Sequence, residues 1–297
     1  MPKIDLSRHL MDPDSPDRRP RRAAYALPTL FTAGNLFLGF FAILKTFQGA
    51  MEATTGILGP NISLQHACIA IGIAVFLDGL DGRIARMTNT VSEFGKELDS
   101  LADVITFGIA PAVLAFVWGI QFVDSLDNPV VRENLHRGGY FVAFLYLLCG
   151  ASRLARFNIT TNPIPKNPGR PDRKYFVGLP IPAAAGFVAA VVYAADAAPI
   201  LFWPFSFAWL VVLAALSFLM ISTWRYRSFK DFNLLRPRSP LTVVLLGSFI
   251  YLVLNFSQPV LLALAGTYVS SGIFVRLGGV LRRRLKQRPP EPEHQVG

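Results

Sequence analysis

The chain has 297 residues, 52% of them hydrophobic and only 16% charged, where soluble domains average about 25% charged. With a mean hydropathy of +0.41, that composition excludes an ordinary soluble domain and a disordered chain and points to the membrane class. The net charge of +10 would suit nucleic acid, but the cations stand where a membrane topology puts them, so no nucleic-acid partner is expected.

Residues 1–24 are polar, basic and proline-containing, and they lack the apolar core of a signal peptide. They read as a cytoplasmic N-terminal segment. A membrane-embedded domain is expected over 25–285, followed by a disordered tail at 286–297 (KQRPPEPEHQVG). Within that domain eight apolar runs approach the ~20 residues a helix needs to cross a bilayer. They cover 27–48, 64–86, 98–121, 138–158, 176–194, 199–222, 240–256 and 259–281. Backbone groups in lipid must be paired within their own segment, so runs of this length read as helices. The fold class is therefore all-α, a polytopic bundle of about eight membrane helices.

Charge placement supports that count. With the N-terminus inside, both tails and the loops after the second, fourth and sixth runs face the cytoplasm. Among the 29 Lys and Arg only Lys45, Arg132 and Arg137 fall elsewhere, as the positive-inside rule requires. The absence of a targeting segment fits a bacterial plasma (inner) membrane, with both termini and the site described next on the cytoplasmic side. Cys68 and Cys149 lie inside apolar runs and read as small buried residues rather than a disulfide framework. His9, His66, His136 and His294 show no ligand spacing.

The exception to apolarity is FLDGLDGRIARMTNTVSEFGKELDSLADV, residues 76–104, which carries Asp78, Asp81, Asp99 and Asp103. An ionised carboxylate near hydrocarbon is costly, roughly 2.5–3.5 kcal/mol at a helix centre. A helix advances about 100° per residue, so Asp78, Asp81, Gly82 and Ala85 share one stripe of the second run. Gly95, Asp99 and Asp103 share another on the third, at the same end of an antiparallel neighbour. Converging carboxylates hold either protons or cations. A set of oxygen ligands without His or Cys suits a hard ion such as Mg²⁺, Mn²⁺ or Ca²⁺, and a pair of such ions is the usual apparatus for displacement at phosphorus. Gly82, Ala85 and Gly95 would leave room for a substrate beside the backbone, and Arg86 is placed to meet phosphate oxygens.

Asp78-xx-Asp81-Gly82-xx-Ala85-Arg86, eight residues, then Gly95-xxx-Asp99-xxx-Asp103 resembles the complete signature of the CDP-alcohol phosphatidyltransferases. The resemblance implies an integral membrane enzyme, usually a homodimer, that displaces CMP from a CDP-linked lipid with a hydroxyl nucleophile. It implies Asp78, Asp81, Asp99 and Asp103 as ligands of two divalent cations, Mg²⁺ or Mn²⁺, with Asp103 also the general base. Gly82, Ala85 and Gly95 would shape the nucleotide pocket, with Arg86 near phosphate.

Three further stretches, LPTLFTAGNLFLGF (27–40), GASRLARFN (150–158) and YFVGLPIPAAAG (175–186), resemble the phosphatidylserine synthase branch. One departure is Thr29 after Pro28, where relatives commonly have asparagine. That branch implies CDP-diacylglycerol as donor and L-serine as acceptor, among membrane lipids. Thr32 and Asn35, three apart on one face of the first run, are candidates to touch the nucleotide. Arg153 and Arg156 are candidates for the serine carboxylate or a phosphate, and Asn158 for orienting the acceptor. Anchoring of the helix end remains an alternative for both arginines. GLPIP (178–182) is expected to set the start of a helix and a close backbone approach beneath the site. The same chemistry with glycerol 3-phosphate, inositol phosphate or choline stays open, because Lys166, Arg170, Arg173 and Lys174 could supply a phosphate pocket. An aspartate-rich prenyltransferase and a cation transporter fit the contiguous, one-sided aspartates less well.

Overall fold

A computed structural model of the chain describes residues 22–56, 59–88, 93–126, 128–161, 175–227 and 240–286. Side chains at 22–28, 81–88, 93, 160–161 and 277–286, and at a few residues around the ribbon and in the first half of the seventh run, lie outside the description, as do both tails beyond those limits.

Each of the eight apolar runs contains a helix. They are α1 (Arg22–Thr54), α2 (Ile62–Thr88), α3 (Glu93–Asp103) continuing into α4 (Ala110–Gly119), α5 (Pro129–Thr161), α6 (Ile181–Ala194), α7 (Trp203–Ile221), α8 (Pro240–Asn255) and α9 (Ser257–Lys286). Among the described residues six helical segments are long and apolar enough to cross a membrane, including Phe94–Gly119 as one rod. Helix α6, with 14 residues, and α8, with 16, are shorter. At 1.5 Å per residue a 14-residue helix spans about 21 Å, less than the ~30 Å of a hydrocarbon core. Among the described residues, length and composition therefore carry six crossings, and the expected eight are not confirmed.

Helix α6 tolerates its shortness because it is packed inside the bundle. Ala184, Ala185, Val188 and Val192 are buried against Ala70, Ile71 and Ala74 of α2 and Ala110, Leu114 and Ala115 of α4. Small residues at these contacts let backbones approach where lipid removes the usual hydrophobic drive between helices. Large side chains such as Phe37, Phe47, Phe141, Phe144 and Phe207 point outward, where lipid receives them. Cys68 and Cys149 are buried and free, as read.

Two local departures from the sequence reading bear on the site. The fifth run was expected to be helical from 176, but Tyr175–Val177 is a strand, β1, paired antiparallel with β2 (Arg225–Arg227), Phe176 opposite Tyr226. The helix cannot start there. Gly178 has φ +79, and Pro180 and Pro182 deny helical N–H donors until the first turn of α6, where none is needed. The ribbon is held to α9 by Tyr226, whose hydroxyl donates to Val269 O at 3.4 Å. Burial, with Tyr268 alongside, pushes that hydroxyl up to about 12, so it stays a donor throughout the neutral range.

The second departure is a π-helical turn over Val104–Ile109, inserted between α3 and α4. The corner at Gly178 meets the earlier expectation of a close backbone approach. The Gly178 N–H donates to Trp224 O at 2.8 Å, just beyond α7, and the Leu179 N–H to Leu219 O at 3.0 Å in its last turn, so the corner is tied to the end of α7 by two main-chain hydrogen bonds.

Candidate metal centre and its surroundings

Helix α2 brings Asp78 to the place where α3 presents Asp99 and Asp103. One carboxylate oxygen from each lies within 4.8 Å of the others. Asp78 and Asp99 are half-buried, and Asp103 is 9% exposed. The i, i+4 spacing of Asp99 and Asp103 puts both on one face of α3, as the sequence stripe requires. Asp81, Gly82, Ala85 and Arg86 continue α2 through its last turns to Thr88, but their side chains lie outside the described residues. Gly95 is half-buried in the first turns of α3.

Three carboxylates this close repel one another unless protons or cations stand among them. The donors are all oxygen, which fits a hard divalent cation and not a soft one. The residues present therefore fit such an ion.

Helix α1 closes one side. Thr32 is 4% and Asn35 3% exposed, and the Asn35 Oδ1 has no hydrogen-bond partner among the described residues. A buried acceptor without a donor is costly, about 1–3 kcal/mol, unless a ligand supplies one. The Asn35 main-chain carbonyl is occupied by the Thr106 hydroxyl at 3.0 Å.

Helix α5 closes the other side and carries both arginines that the sequence grouped. Arg153 is half-buried within Coulombic range of Asp103 and of Tyr268 on α9; its Nε is buried and makes no hydrogen bond among the described residues. Arg156 is exposed, and its Nη1 donates to Ile221 O at 3.4 Å, capping α7. That bond is the kind of contact the anchoring alternative calls for. Asn158 donates to Ser100 Oγ at 2.8 Å, and Ser100 in turn bonds Lys96 O. It ties α5 to the turn that carries Asp99. The basic residues Lys166, Arg170, Arg173 and Lys174 lie outside the described residues.

Sequence reasoning missed Tyr268. It stands on the last predicted helix, far along the chain from Arg153, and only the packing of α9 against α6 and β2 brings it to the site. No spacing rule could have found it.

Comparison with known proteins agrees with this geometry. The family model for CDP-alcohol phosphatidyltransferases matches residues 25–221. A CDP-diacylglycerol–serine O-phosphatidyltransferase of Helicobacter pylori is 36% identical over 258 residues, covering 86% of this chain and 92% of the relative. One from Bacillus subtilis is 31% identical, covering 69% of this chain and 91% of the relative. An archaetidylserine synthase of Methanothermobacter thermautotrophicus is 35% identical over 54% of each chain.

Proposed function

Since the chain belongs to the CDP-alcohol phosphatidyltransferase family, we propose that it transfers the phosphatidyl group of CDP-diacylglycerol to the hydroxyl of L-serine, forming phosphatidylserine and CMP. The observation that carries this reading is the convergence of Asp78, Asp99 and Asp103 within 4.8 Å, in a chain similar over most of its length to CDP-diacylglycerol–serine O-phosphatidyltransferases. The family is generally divalent-cation dependent. In this reading Asp78, Asp81, Asp99 and Asp103 hold two cations, Mg²⁺ or Mn²⁺. When bound, such ions neutralise the pyrophosphate and stabilise the departing CMP.

The remaining roles belong to the chain itself. The serine Oγ attacks the phosphatidyl phosphorus, its proton passes to a carboxylate oxygen of Asp103, and the bond from phosphorus to the CMP oxygen breaks. Thr32 and Asn35 border the nucleotide, with the Asn35 Oδ1 accepting from a donor on it. Gly82, Ala85 and Gly95 leave backbone room, and Arg86 meets phosphate. Arg153 receives the serine carboxylate, and Asn158 holds the α3–α5 seam beside it. A site at the end of the helices lets the acyl chains stay in lipid while CMP leaves to water.

The protein is an integral membrane protein, as its long apolar helices require. We assign it further to a bacterial inner membrane, as a homodimer, with the site and both termini cytoplasmic. The support for the orientation is the charge bias, with Lys45, Arg132 and Arg137 the outlying cations; the homodimer and the bacterial membrane follow from the family resemblance and similarity to bacterial relatives.

The test is CMP release by detergent-purified protein given CDP-diacylglycerol and Mn²⁺ or Mg²⁺, with serine, glycerol 3-phosphate, inositol phosphate and choline supplied separately. Release with serine alone supports the assignment. Release with another alcohol keeps the family chemistry and overturns the acceptor. Chelation by EDTA is expected to stop the reaction and added Mn²⁺ to restore it.

The two arginines give a sharper prediction. Arg153→Met should raise the KM for serine about 10- to 100-fold, the loss of one hydrogen bond to a charged group, and leave the KM for CDP-diacylglycerol nearly unchanged. Arg156→Met, which loses the cap on α7, should shift the serine KM less than Arg153→Met does. Equal effects from both would remove Arg153 from the acceptor pocket.

A further inference from the structure

The π turn after Asp103 has a cause in the sequence. In an unbroken α-helix the Phe107 carbonyl would accept from the N–H of residue 111. Residue 111 is proline, which has no N–H and crowds the carbonyl four residues back. The chain widens instead: the Ala110 N–H bonds Ile105 O, five residues back, and Val104–Ile109 forms the π turn.

The Phe107 carbonyl does not go bare. Tyr146 of α5, fully buried, donates its hydroxyl to Phe107 O at 3.3 Å. Two more contacts hold the turn. The Thr106 hydroxyl bonds Asn35 O at 3.0 Å, and Gly39 of α1 lies so close to Thr106 that a Cβ there would overlap it.

The consequence is geometric. Helix α4 is fixed in the core, where Ala110, Leu114 and Ala115 are buried and Trp209 Nε1 donates to Ala115 O at 3.0 Å. A π turn accommodates one extra residue, which rotates everything before it by about 100° relative to everything after it. Asp103 is the residue immediately before the turn, and Asp99 is one turn earlier. With α4 locked, straightening the rod would swing both aspartates away from Asp78.

We propose that Tyr146 is a positioning residue of the transfer reaction, holding the π turn that Pro111 creates and so aiming Asp99 and Asp103 at Asp78. The proposal rests on the reading of the aspartates as the cation site.

The experiment uses the full chain in detergent with three variants: Tyr146→Phe, Pro111→Ala and the two combined. Mn²⁺ binding is followed directly by loss of the free-ion paramagnetic resonance signal, beside steady-state CMP release. Tyr146→Phe should weaken Mn²⁺ binding about fivefold, the fold-change of one net hydrogen bond, and lower kcat with both KM values held within about twofold. Pro111→Ala restores a donor for Phe107 O and lets the rod straighten. It should lower kcat by about 100-fold, the scale of a reacting group displaced by an ångström, with weaker Mn²⁺ binding. In the Pro111→Ala background, Tyr146→Phe should add little, since residue 111 now supplies the donor.

A role limited to packing would lower thermal stability without moving the Mn²⁺ dissociation constant. Parent-like Mn²⁺ binding in both single variants overturns the proposal. If Tyr146→Phe does not fold, Pro111→Ala alone decides. Asp103→Asn, measured in parallel, separates the two levels. Parent-like Mn²⁺ binding and CMP release in that variant would remove the cation site itself. Its inactivity beside parent-like Tyr146→Phe and Pro111→Ala would remove only the positioning role.

Discussion

Replacing Asp103 with asparagine is expected to lower CMP release by about 10³-fold or more, because it removes a general base, worth 10²–10⁴-fold, together with a charge from the cation site. The substitution is nearly isosteric, so α3 and the π turn should stand. Asn keeps an oxygen where the carboxylate was but cannot take the serine proton. Asp103 is the most buried of the three described aspartates, the place where an uncompensated loss of charge is felt most. CDP-diacylglycerol binding should survive in large part, since α1 and the end of α2 face the nucleotide in this reading. The discriminating measurement is single-turnover CMP release at saturating donor, serine and Mn²⁺. A variant that releases CMP within tenfold of the parent would strip Asp103 of its role as base.

The stripe that makes this prediction possible was legible in the sequence because it depends on one helix at a time. The i, i+4 spacing of Asp99 and Asp103 and the small residues between the aspartates are local facts. The eight apolar runs were legible for the same reason, since crossing length and apolarity are local. The failures are all places where two distant segments decide the outcome. The run at 176–194 looked long enough to cross because it included Phe176 and Val177, whose apolar side chains suit strand as well as helix. Pairing with Arg225–Arg227 made them β1, and α6 was left at 14 residues. Pro111 was visible, but its effect depends on a hydroxyl from α5 to receive the carbonyl it orphans. Arg153 and Arg156 are three apart on one helix and looked alike. In the fold Arg153 stands within Coulombic range of Asp103 on α3, and Arg156 reaches the Ile221 carbonyl at the end of α7.

Gly178→Ala should be the most damaging change outside the aspartates, destabilising the protein by about 3 kcal/mol or more, from an L-residue forced into a left-handed conformation and a clash with fixed backbone. Gly178 has φ +79, and a Cβ built there would stand 2.5 Å from Met220 O and 3.0 Å from Ser222 O. Neither neighbour is the flexible tip of a side chain. Both are carbonyls at the end of α7, held in place by the same corner through the hydrogen bonds of Gly178 and Leu179 to Trp224 O and Leu219 O. Relief would require moving the end of α7 away from the start of α6. Ile221, between Met220 and Ser222, accepts the Arg156 guanidinium, so the displacement passes into α5, the helix that carries Arg153. The damage should therefore appear twice: as a lower unfolding temperature in detergent and, in the surviving folded fraction, as a raised KM for serine. Gly186→Ala, inside the α6 that this corner leads into, is the matched control, because a Cβ there meets only Val75 Cγ2, at an ordinary 3.7 Å. If Gly178→Ala unfolds at the same temperature as Gly186→Ala, the corner is not what holds α6 against α7. If Gly178→Ala loses stability but keeps the parent's serine KM, the corner supports the bundle without shaping the acceptor pocket.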